Sequence, residues 1–223
     1  MKKLHYIIVL LWSSFSFAQD VFLTEVKSTN NNSDKFLYSL KSEPNSDNQY
    51  LGRIEVSGFS LNDEEMFSQI YKKAKSIGSN TYVIKSPENI EGAVKFNPSH
   101  YYIYLYYTEQ KKIAKEENII YIINPSKEIQ IRINDDKLKL NPRSFVKYNI
   151  SKTEITDVSV GKFLGSRIKF HSKEGQPEQY FQISGKKISA NSENSPGINY
   201  KTGDIIKLEK SYAQFLINIY KEN

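Results

Sequence analysis

The sequence predicts an α+β protein, in which an N-terminal β-α-β-β unit is followed by a small antiparallel β-sandwich-like domain and a C-terminal amphipathic helix. Three observations support this fold class. Aromatic residues make up 13% of the chain, with 16 Tyr and 12 Phe, and aromatic side chains are favoured in strands. Many short segments alternate between apolar and polar residues, as half-buried strands do. Two further segments carry apolar residues at helical spacing.

The first 18 residues have the pattern of a secretory signal peptide. Two lysines precede an apolar core at residues 6–12, which is too short to cross a bilayer as a helix. Ser16 and Ala18 place small side chains where signal peptidase requires them, so we expect cleavage between Ala18 and Gln19. The alternative is an uncleaved amphiphilic anchor. Because the chain has no Cys to carry lipid, we expect no stable membrane anchor after cleavage and a periplasmic or secreted protein.

Residues 19–110 are predicted to form the first domain. Residues 27–49 are rich in Asn, Ser and Asp, which is typical of loops, and strands are predicted at 51–59, 80–85 and 99–108. Asn62 and Glu65 give the helix between the first two strands a capping-box-like start, and Gly78 is suited to end it. The apolar face of this helix consists of Met66, Phe67, Ile70, Ala74 and Ile77.

Residues 118–223 are predicted to form the second domain, after an exposed linker at 111–117. Short strands recur at intervals of about 8 to 12 residues, which is typical of a small sandwich or barrel. They are predicted at 118–124, 127–134, 137–140, 144–150, 154–160, 164–171 and 178–184. Residues 173–177 are expected to form the last hairpin turn, and 186–199 a polar loop. The chain then ends with an extended segment at 203–208 and a helix capped by Ser211, whose apolar positions are Tyr212, Phe215, Leu216, Ile219 and Tyr220.

Two segments resemble known kinds of protein. The Ser-Phe-Ser-Phe-Ala-Gln ending of the leader, with the Asn- and Lys-rich chain after it, resembles exported proteins of Bacteroidota. Residues 119–184, with their Ile-Tyr-Ile-Ile opening, Ile-Gln-Ile-Arg-Ile-Asn hairpin segment and Gln-Tyr-Phe-Gln-Ile close, resemble small β-sandwich modules of unknown function in bacterial envelope lipoproteins. The chain departs from those modules by lacking the lipobox Cys and by having Lys152 and Thr153 where a Pro-Gly turn is common. The resemblance implies an envelope setting and assigns no functional residue.

Side chains that hold metals or act as nucleophiles are scarce. The chain has no Cys and three His, of which His5 lies in the leader. His100 and His171 fall at the ends of predicted strands without ligand spacing, so we predict no metal site, no cofactor and no catalytic residue. A Gly-x-Ser-x-Gly elbow and a glycine-rich phosphate loop are also missing from the sequence. The adjacent carboxylates at 64–65, 116–117 and 135–136 fall at a helix cap, a linker and a turn, where solvated structural roles are expected.

Tyr102, Tyr104 and Tyr106 are the candidate ligand-binding residues. Alternation along a strand places these three on one face. The other face is more apolar and is expected to pack under the helix; it holds Tyr101, Ile103, Leu105 and Tyr107. Aligned tyrosines offer rigid apolar plates with polar tips, which suit a sugar ring or a protein partner. The alternative is that residues 20–45 or the second half of the chain cover this face as well.

Together these features predict an exported, non-enzymatic protein that binds an envelope protein or a glycan. The first half after the leader is mildly acidic and the second half basic, with lysines dispersed along strands, so a nucleic-acid partner is not expected. One alternative is a carbohydrate- or peptidoglycan-active hydrolase without a recognised motif, which would require two carboxylates converging in a deep cleft. Another is a secreted factor or toxin that contacts membranes through lysines gathered on one face of the second half.

Overall fold

The computed structural model describes residues 20–58, 62–87, 96–161, 165–184, 187–190, 198–201 and 204–223. These residues are mainly β, with two helices and several sheets, as the predicted fold class requires. The predicted signal peptide at 1–18 and its cleavage site lie outside the described residues. Contacts divide the chain into two units. Unit 1 contains residues 20–37 and Glu43–Thr108, and unit 2 contains Tyr38–Ser42 and Glu109–Asn223.

Sixteen strands and two helices lie within the described ranges. In chain order they are β1 (Asp20–Val26), β2 (Tyr38–Ser39), β3 (Asn48–Ser57), α1 (Asp63–Ser76), β4 (Thr81–Lys85), β5 (His100–Thr108), β6 (Ile119–Asn124), β7 (Ile129–Ile133), β8 (Asp136–Leu140), β9 (Ser144–Asn149), β10 (Thr156–Val160), β11 (Arg167–Phe170), β12 (Gln179–Ser184), β13 (Lys187–Ala190), β14 (Ile198–Lys201), β15 (Asp204–Lys207), α2 (Lys210–Ile219) and β16 (Lys221–Glu222).

Unit 1 is an antiparallel sheet with one helix packed on it. Its strands lie in the order β1-β3-β5-β4, and the chain passes from β3 through α1 to β4 on the far side of β5. The predicted β-α-β-β order is therefore confirmed. β1, which is not predicted from the sequence, pairs with β3 at the edge of the sheet.

The ends of α1 lie where the sequence predicts them. The Oδ1 atom of Asn62 accepts a hydrogen bond from the Glu65 N–H, and Asn62 Nδ2 donates to Glu65 Oε2, each at 3.1 Å. This reciprocal cap satisfies a backbone donor that the first turn leaves free. Gly78 follows the helix with φ at +79°, and a Cβ there would lie 1.8 Å from the Asn30 carbonyl oxygen, so no larger residue fits.

The core of unit 1 lies between α1 and one face of the sheet. The four predicted apolar residues within α1 are buried, as is Ile77 at its C-terminal cap, which confirms the predicted face. Tyr101, Ile103 and Leu105 of β5 are fully buried against it, and the Tyr101 hydroxyl contacts Met66 Sδ at 3.2 Å. The predicted division of β5 into a buried and a more exposed face is therefore confirmed for these three residues.

A buried polar cluster fixes β4 against the end of β5. Asn80 Nδ2 donates to the Thr108 carbonyl at 2.8 Å, and the Thr108 N–H donates to Asn80 Oδ1 at 2.9 Å. The hydroxyls of Thr81 and Thr108 lie 2.8 Å apart. Asn80, Thr81 and Thr108 are almost completely buried, so each hydrogen bond replaces water that the folded protein excludes.

Unit 2 contains two sheets that share one hydrophobic cluster. The five-stranded sheet has the order β15-β12-β6-β9-β16, and the four-stranded sheet has the order β11-β10-β7-β8. Both contribute buried side chains to the cluster, including Ile122 of β6, Ile131 of β7, Val158 of β10 and Phe181 of β12. This arrangement is consistent with the predicted sandwich-like domain.

The expectation of an entirely antiparallel domain is wrong for the five-stranded sheet. β12 pairs with β6 in parallel, and β16 pairs with β9 in parallel. Residues 173–177 do not form the predicted hairpin turn, because the strand before them, β11, belongs to the four-stranded sheet and β12 to the other. The predicted polar loop at 186–199 contains β13 and the first half of β14, which pair with each other.

β6 is buried along its whole length, which explains its continuous apolar sequence. Ile120 and Ile122 belong to the cluster between the sheets. Because side chains alternate, Tyr121 faces the other side, where it stacks on Tyr180 with ring centroids 5.1 Å apart. α2 packs on this second side, since Gln214 Nε2 donates to the Tyr180 hydroxyl at 3.1 Å.

The cap of α2 is Glu209 and not the predicted Ser211. The Glu209 carboxylate accepts hydrogen bonds from the N–H groups of Ser211 at 2.9 Å and Tyr212 at 3.0 Å. A carboxylate next to the positive end of the helix dipole is favourable, and its longer side chain reaches the first turn from one residue before the helix. Ser211 is consequently inside the helix and buried, whereas the predicted docking residues Phe215 and Leu216 are buried as expected.

The segment Tyr38–Ser42 belongs to unit 2 although both of its flanks belong to unit 1. The Ser39 N–H donates to Gln214 Oε1 at 2.9 Å, and Lys41 forms an ion pair with Glu116 at 2.7 Å. We call this segment the strap. It supplies unit 2 with a backbone donor and a cation from a part of the chain that precedes most of unit 1. This exchange is not predicted from the sequence.

Candidate functional site

The candidate tyrosines lie on the side of the unit 1 sheet that is opposite α1. Directly paired residues of neighbouring antiparallel strands point to the same side, so the register defines three rows of side chains. Across the sheet the first row is Phe22, Glu55, Tyr102 and Lys85, and the second is Glu25, Arg53, Tyr104 and Val83. The third row is Tyr50, Tyr106 and Thr81, of which Thr81 is buried. We call these rows the open face.

The three predicted tyrosines are half-buried and pack within a larger aromatic surface. The ring centroid of Tyr50 lies 6.3 Å from that of Tyr104 and 5.5 Å from that of Tyr106. The Arg53 guanidinium lies over Tyr102, 4.8 Å from its ring centroid, in cation–π geometry. Strand β3 therefore extends the predicted strip sideways into a plate two strands wide.

Sequence alternation alone could not reveal that Tyr50 and Arg53 share a face. They are three residues apart, and a regular strand would place them on opposite sides. The pairing of β3 with β5 shifts between Tyr50 and Gly52, which makes Leu51 the extra residue of a β-bulge. The bulge brings Tyr50 and Arg53 to the same side.

Charged side chains of the open face are paired locally. The Glu55 carboxylate lies 2.8 Å from His100 Nε2, and Glu25 accepts a hydrogen bond from the Tyr50 hydroxyl at 3.1 Å. Lys85 forms an ion pair with Glu43 at 2.9 Å. The open face thus contains charges of both signs, each close to a partner.

Two phenols of this face, Tyr50 and Tyr106, stay protonated at neutral pH. Burial and the neighbouring Glu25 carboxylate raise the pKa of the Tyr50 hydroxyl. Burial also raises the pKa of Tyr106, although Lys85 opposes this effect. Neutral hydroxyls both donate and accept hydrogen bonds, which is the property that a polar ligand would use.

Residues 20–37, which are part of the segment 20–45 considered as an alternative cover, lie at the edge and on the helix side of the sheet. Residues 20–26 extend the edge of the sheet as β1. The chain after β1 runs past the C-terminal end of α1, where Lys75 Nζ donates to the carbonyl of Asp34 at 2.7 Å and the Tyr71 hydroxyl contacts the carbonyl of Lys35. Burial lowers the pKa of this lysine. These contacts place the segment on the helix side of the sheet.

Unit 2 holds a second group of polar residues, around Glu116 and Glu178. The Glu178 N–H donates to the Glu116 carbonyl at 3.1 Å, so the two residues are backbone neighbours. Glu116 lies 2.7 Å from Lys41 and 2.8 Å from Lys147. Glu178 has a completely buried side chain, which forms an ion pair with Lys210 at 2.9 Å. From the sequence, Glu116 is expected in a solvated linker, and no role is predicted for Glu178.

The electrostatics of Glu116 do not suit a general acid. Burial by itself would raise the pKa of Glu116, but hydrogen bonds from Lys147, Lys41 and the Tyr121 hydroxyl outweigh it and lower the pKa to about 2. A general acid in glycoside hydrolysis requires the opposite shift, so that it holds a proton near neutral pH. Glu116 instead acts as an ionised link between the strap and the five-stranded sheet.

The other adjacent carboxylates lie apart from both groups. Glu65 completes the cap of α1, and Asp136 begins β8 in an exposed hairpin. Across the described ranges, no three His, Cys, Asp or Glu residues lie close enough together to hold a metal ion. In the same part of the chain, neither helix has the length and apolar character needed to cross a membrane.

Comparison with known proteins gives no basis for a functional assignment, which therefore depends on the open face. The chain matches no protein-family model, and no curated protein and no solved structure shows significant similarity to it.

Proposed function

We propose that the mature protein is exported and acts by binding a component of the cell envelope through the open face of unit 1. The observation that carries this proposal is the continuous plate formed by Tyr102, Tyr104 and Tyr106 together with Tyr50 and Arg53. Tyrosine and arginine are over-represented among residues that dominate binding energy, because both combine a large flat surface with polar groups. The signal-peptide pattern at 1–18 supports an envelope setting.

The position of the plate also favours a binding role. α1 supplies the apolar cover that the sheet needs, on the opposite side, so the tyrosines are not required to complete the core of unit 1. An antiparallel sheet with one covered face normally presents polar, solvated residues on the other. Four tyrosines there exceed what solubility requires, and they are accounted for if a ligand covers them.

The proposal can be tested with the insoluble envelope fraction of the native cells. Mature protein, from Gln19 onward, is incubated with this fraction and sedimented, and the bound share is compared with that of the triple variant Tyr102→Ala, Tyr104→Ala, Tyr106→Ala. We expect binding to fall at least about tenfold, since an aromatic anchor contributes about 1 to 3 kcal/mol and tenfold corresponds to about 1.4 kcal/mol.

A matched control is Tyr107→Ala, which removes a half-buried tyrosine from the same strand on the other side of the sheet. Circular dichroism shows whether each variant remains folded. Equal sedimentation of the folded triple variant and the wild type would show that the open face is not the binding site.

A further inference from the structure

We infer that the ligand of the open face is an uncharged, extended glycan, an inference that rests on the proposed function and names its ligand class. The side chains of the face supply two kinds of interaction, aromatic stacking and neutral hydrogen bonding. Both are what an uncharged sugar chain needs, because sugar rings present apolar C–H faces and hydroxyl edges.

The charges of the face are already satisfied within unit 1, which disfavours a charged ligand. Glu25, Glu55 and Lys85 each have a hydrogen-bonding or ionic partner at 3.1 Å or less. Arg53 stacks on Tyr102, and its hydrogen bond with Tyr104 raises the pKa of the guanidinium. A polyanion is bound by a row of uncommitted cations, and the described part of the face contains no such row.

Two tyrosine hydroxyls are available for a neutral partner. Within the residues that the structure describes, the hydroxyls of Tyr102 and Tyr106 form no hydrogen bond with the protein. A half-buried plate with unused neutral hydroxyls fits the hydroxyl groups that border each sugar ring.

The geometry favours a glycan over a peptide or a folded protein. An extended peptide usually joins a sheet at its edge, where main-chain groups are free, whereas these residues lie on the face of β5, whose two edges both pair with neighbouring strands. The centre of a protein interface is depleted of charged residues, but Glu25 and Arg53 lie in the middle row of this face and Glu55 lies in the row beside it. The three tyrosines of β5 span about 13 Å along the strand, which suits an extended chain of sugars.

The inference is tested by calorimetric titration with three uncharged hexasaccharides, namely cellohexaose, mannohexaose and N-acetylchitohexaose. Hexagalacturonate and the chitosan hexamer serve as the anionic and cationic counterparts. We expect at least one uncharged chain to bind with an affinity that does not change between low and high salt. The double variant Tyr102→Phe, Tyr106→Phe removes only the two unused hydroxyls, so we expect it to fold normally and to bind about tenfold more weakly. Tyr107→Phe is the matched control and should bind like the wild type.

Three results would overturn the inference, and they differ in what they imply for the proposed function. If only a charged hexasaccharide binds, with strong salt dependence, the ligand class is wrong but the open face remains the site. The ligand class is also wrong, and the site still stands, if no hexasaccharide binds while the triple alanine variant no longer binds the envelope fraction. If an uncharged chain binds equally well to the wild type, the double phenylalanine variant and the triple alanine variant, neither the inference nor the proposed site is correct.

Discussion

The charge of Glu116 is expected to stabilise unit 2, and Glu116→Gln removes that charge while preserving the shape of the side chain. The carboxylate receives hydrogen bonds from Lys41 at 2.7 Å, from Lys147 at 2.8 Å and from the Tyr121 hydroxyl. Glutamine keeps one oxygen acceptor but presents an NH₂ donor in place of the other. One of the three donors would then face another donor.

The expected magnitude follows from the pKa of Glu116. Burial opposes ionisation, but the three hydrogen bonds lower the pKa from 4.5 to about 2. A shift of this size corresponds to at most about 3 kcal/mol of stabilisation. Because the carboxylate is 21% exposed, solvent screening reduces this value. We therefore expect Glu116→Gln to lower the free energy of unfolding by about 1–2 kcal/mol at neutral pH.

The direction of the pKa shift determines how the stabilising effect of Glu116 depends on pH. A carboxyl whose pKa is lower in the folded than in the unfolded state stabilises the fold above the unfolded value and loses this effect as the pH falls. The difference in stability between wild type and Glu116→Gln should therefore be complete above about pH 5 and should decline steadily toward about pH 2.

Urea denaturation followed by circular dichroism, repeated across this pH range, measures the effect. The only Trp of the chain, Trp12, lies in the predicted signal peptide, so circular dichroism is a more suitable signal than tryptophan fluorescence. Glu117→Gln is the matched control, because Glu117 is adjacent and exposed. Equal losses in the two variants, or a loss for Glu116→Gln that is independent of pH, would refute the assigned role of the charge.

Three further outcomes are expected. Ile70→Ala should lower the free energy of unfolding by about 2 to 5 kcal/mol, because Ile70 is buried under the sheet. Lys72→Ala, at an exposed position, should change the free energy of unfolding by less than about 0.5 kcal/mol. Equal small effects of the two substitutions in urea titrations would contradict the assigned helix face. Asn80→Ala leaves the N–H and C=O groups of Thr108 without their side-chain partner and should cost about 2 kcal/mol or more, measured in the same way. Mass spectrometry of the exported protein should find Gln19 at the N-terminus, cyclised to pyroglutamate, and an N-terminus at Met1 in membrane fractions would contradict cleavage.

Local patterns were sufficient to predict β3, α1, β4 and β5 of unit 1 and most strands of unit 2. The cap at Asn62, the glycine at position 78 and the apolar spacing of α1 depend on residues within a few positions of one another, so their outcome can be read from the sequence. The burial of Tyr101, Ile103 and Leu105 was predictable for the same reason, since alternation along one strand decides which residues share a face. The placement of Tyr102, Tyr104 and Tyr106 on the opposite face follows directly.

The neighbours of each strand were decided only by tertiary structure. Alternation assigns a residue to a face, but it carries no information about which strand lies alongside, or in which direction, because pairing depends on contacts between distant parts of the chain. The parallel pairing of β6 with β12 and the transfer of the strap to unit 2 are of this kind.

The same distinction applies to the candidate site. The sequence by itself determined that three tyrosines of β5 share one face, because that face is set by the backbone of a single strand. Tertiary structure decided that Tyr50 and Arg53 join them, because a bulge in β3 reverses the expected alternation and the register brings both beside β5. It likewise made Glu116 a link between the strap and a sheet, because its partners Lys41 and Lys147 are brought together only when residues far apart in sequence pack around it.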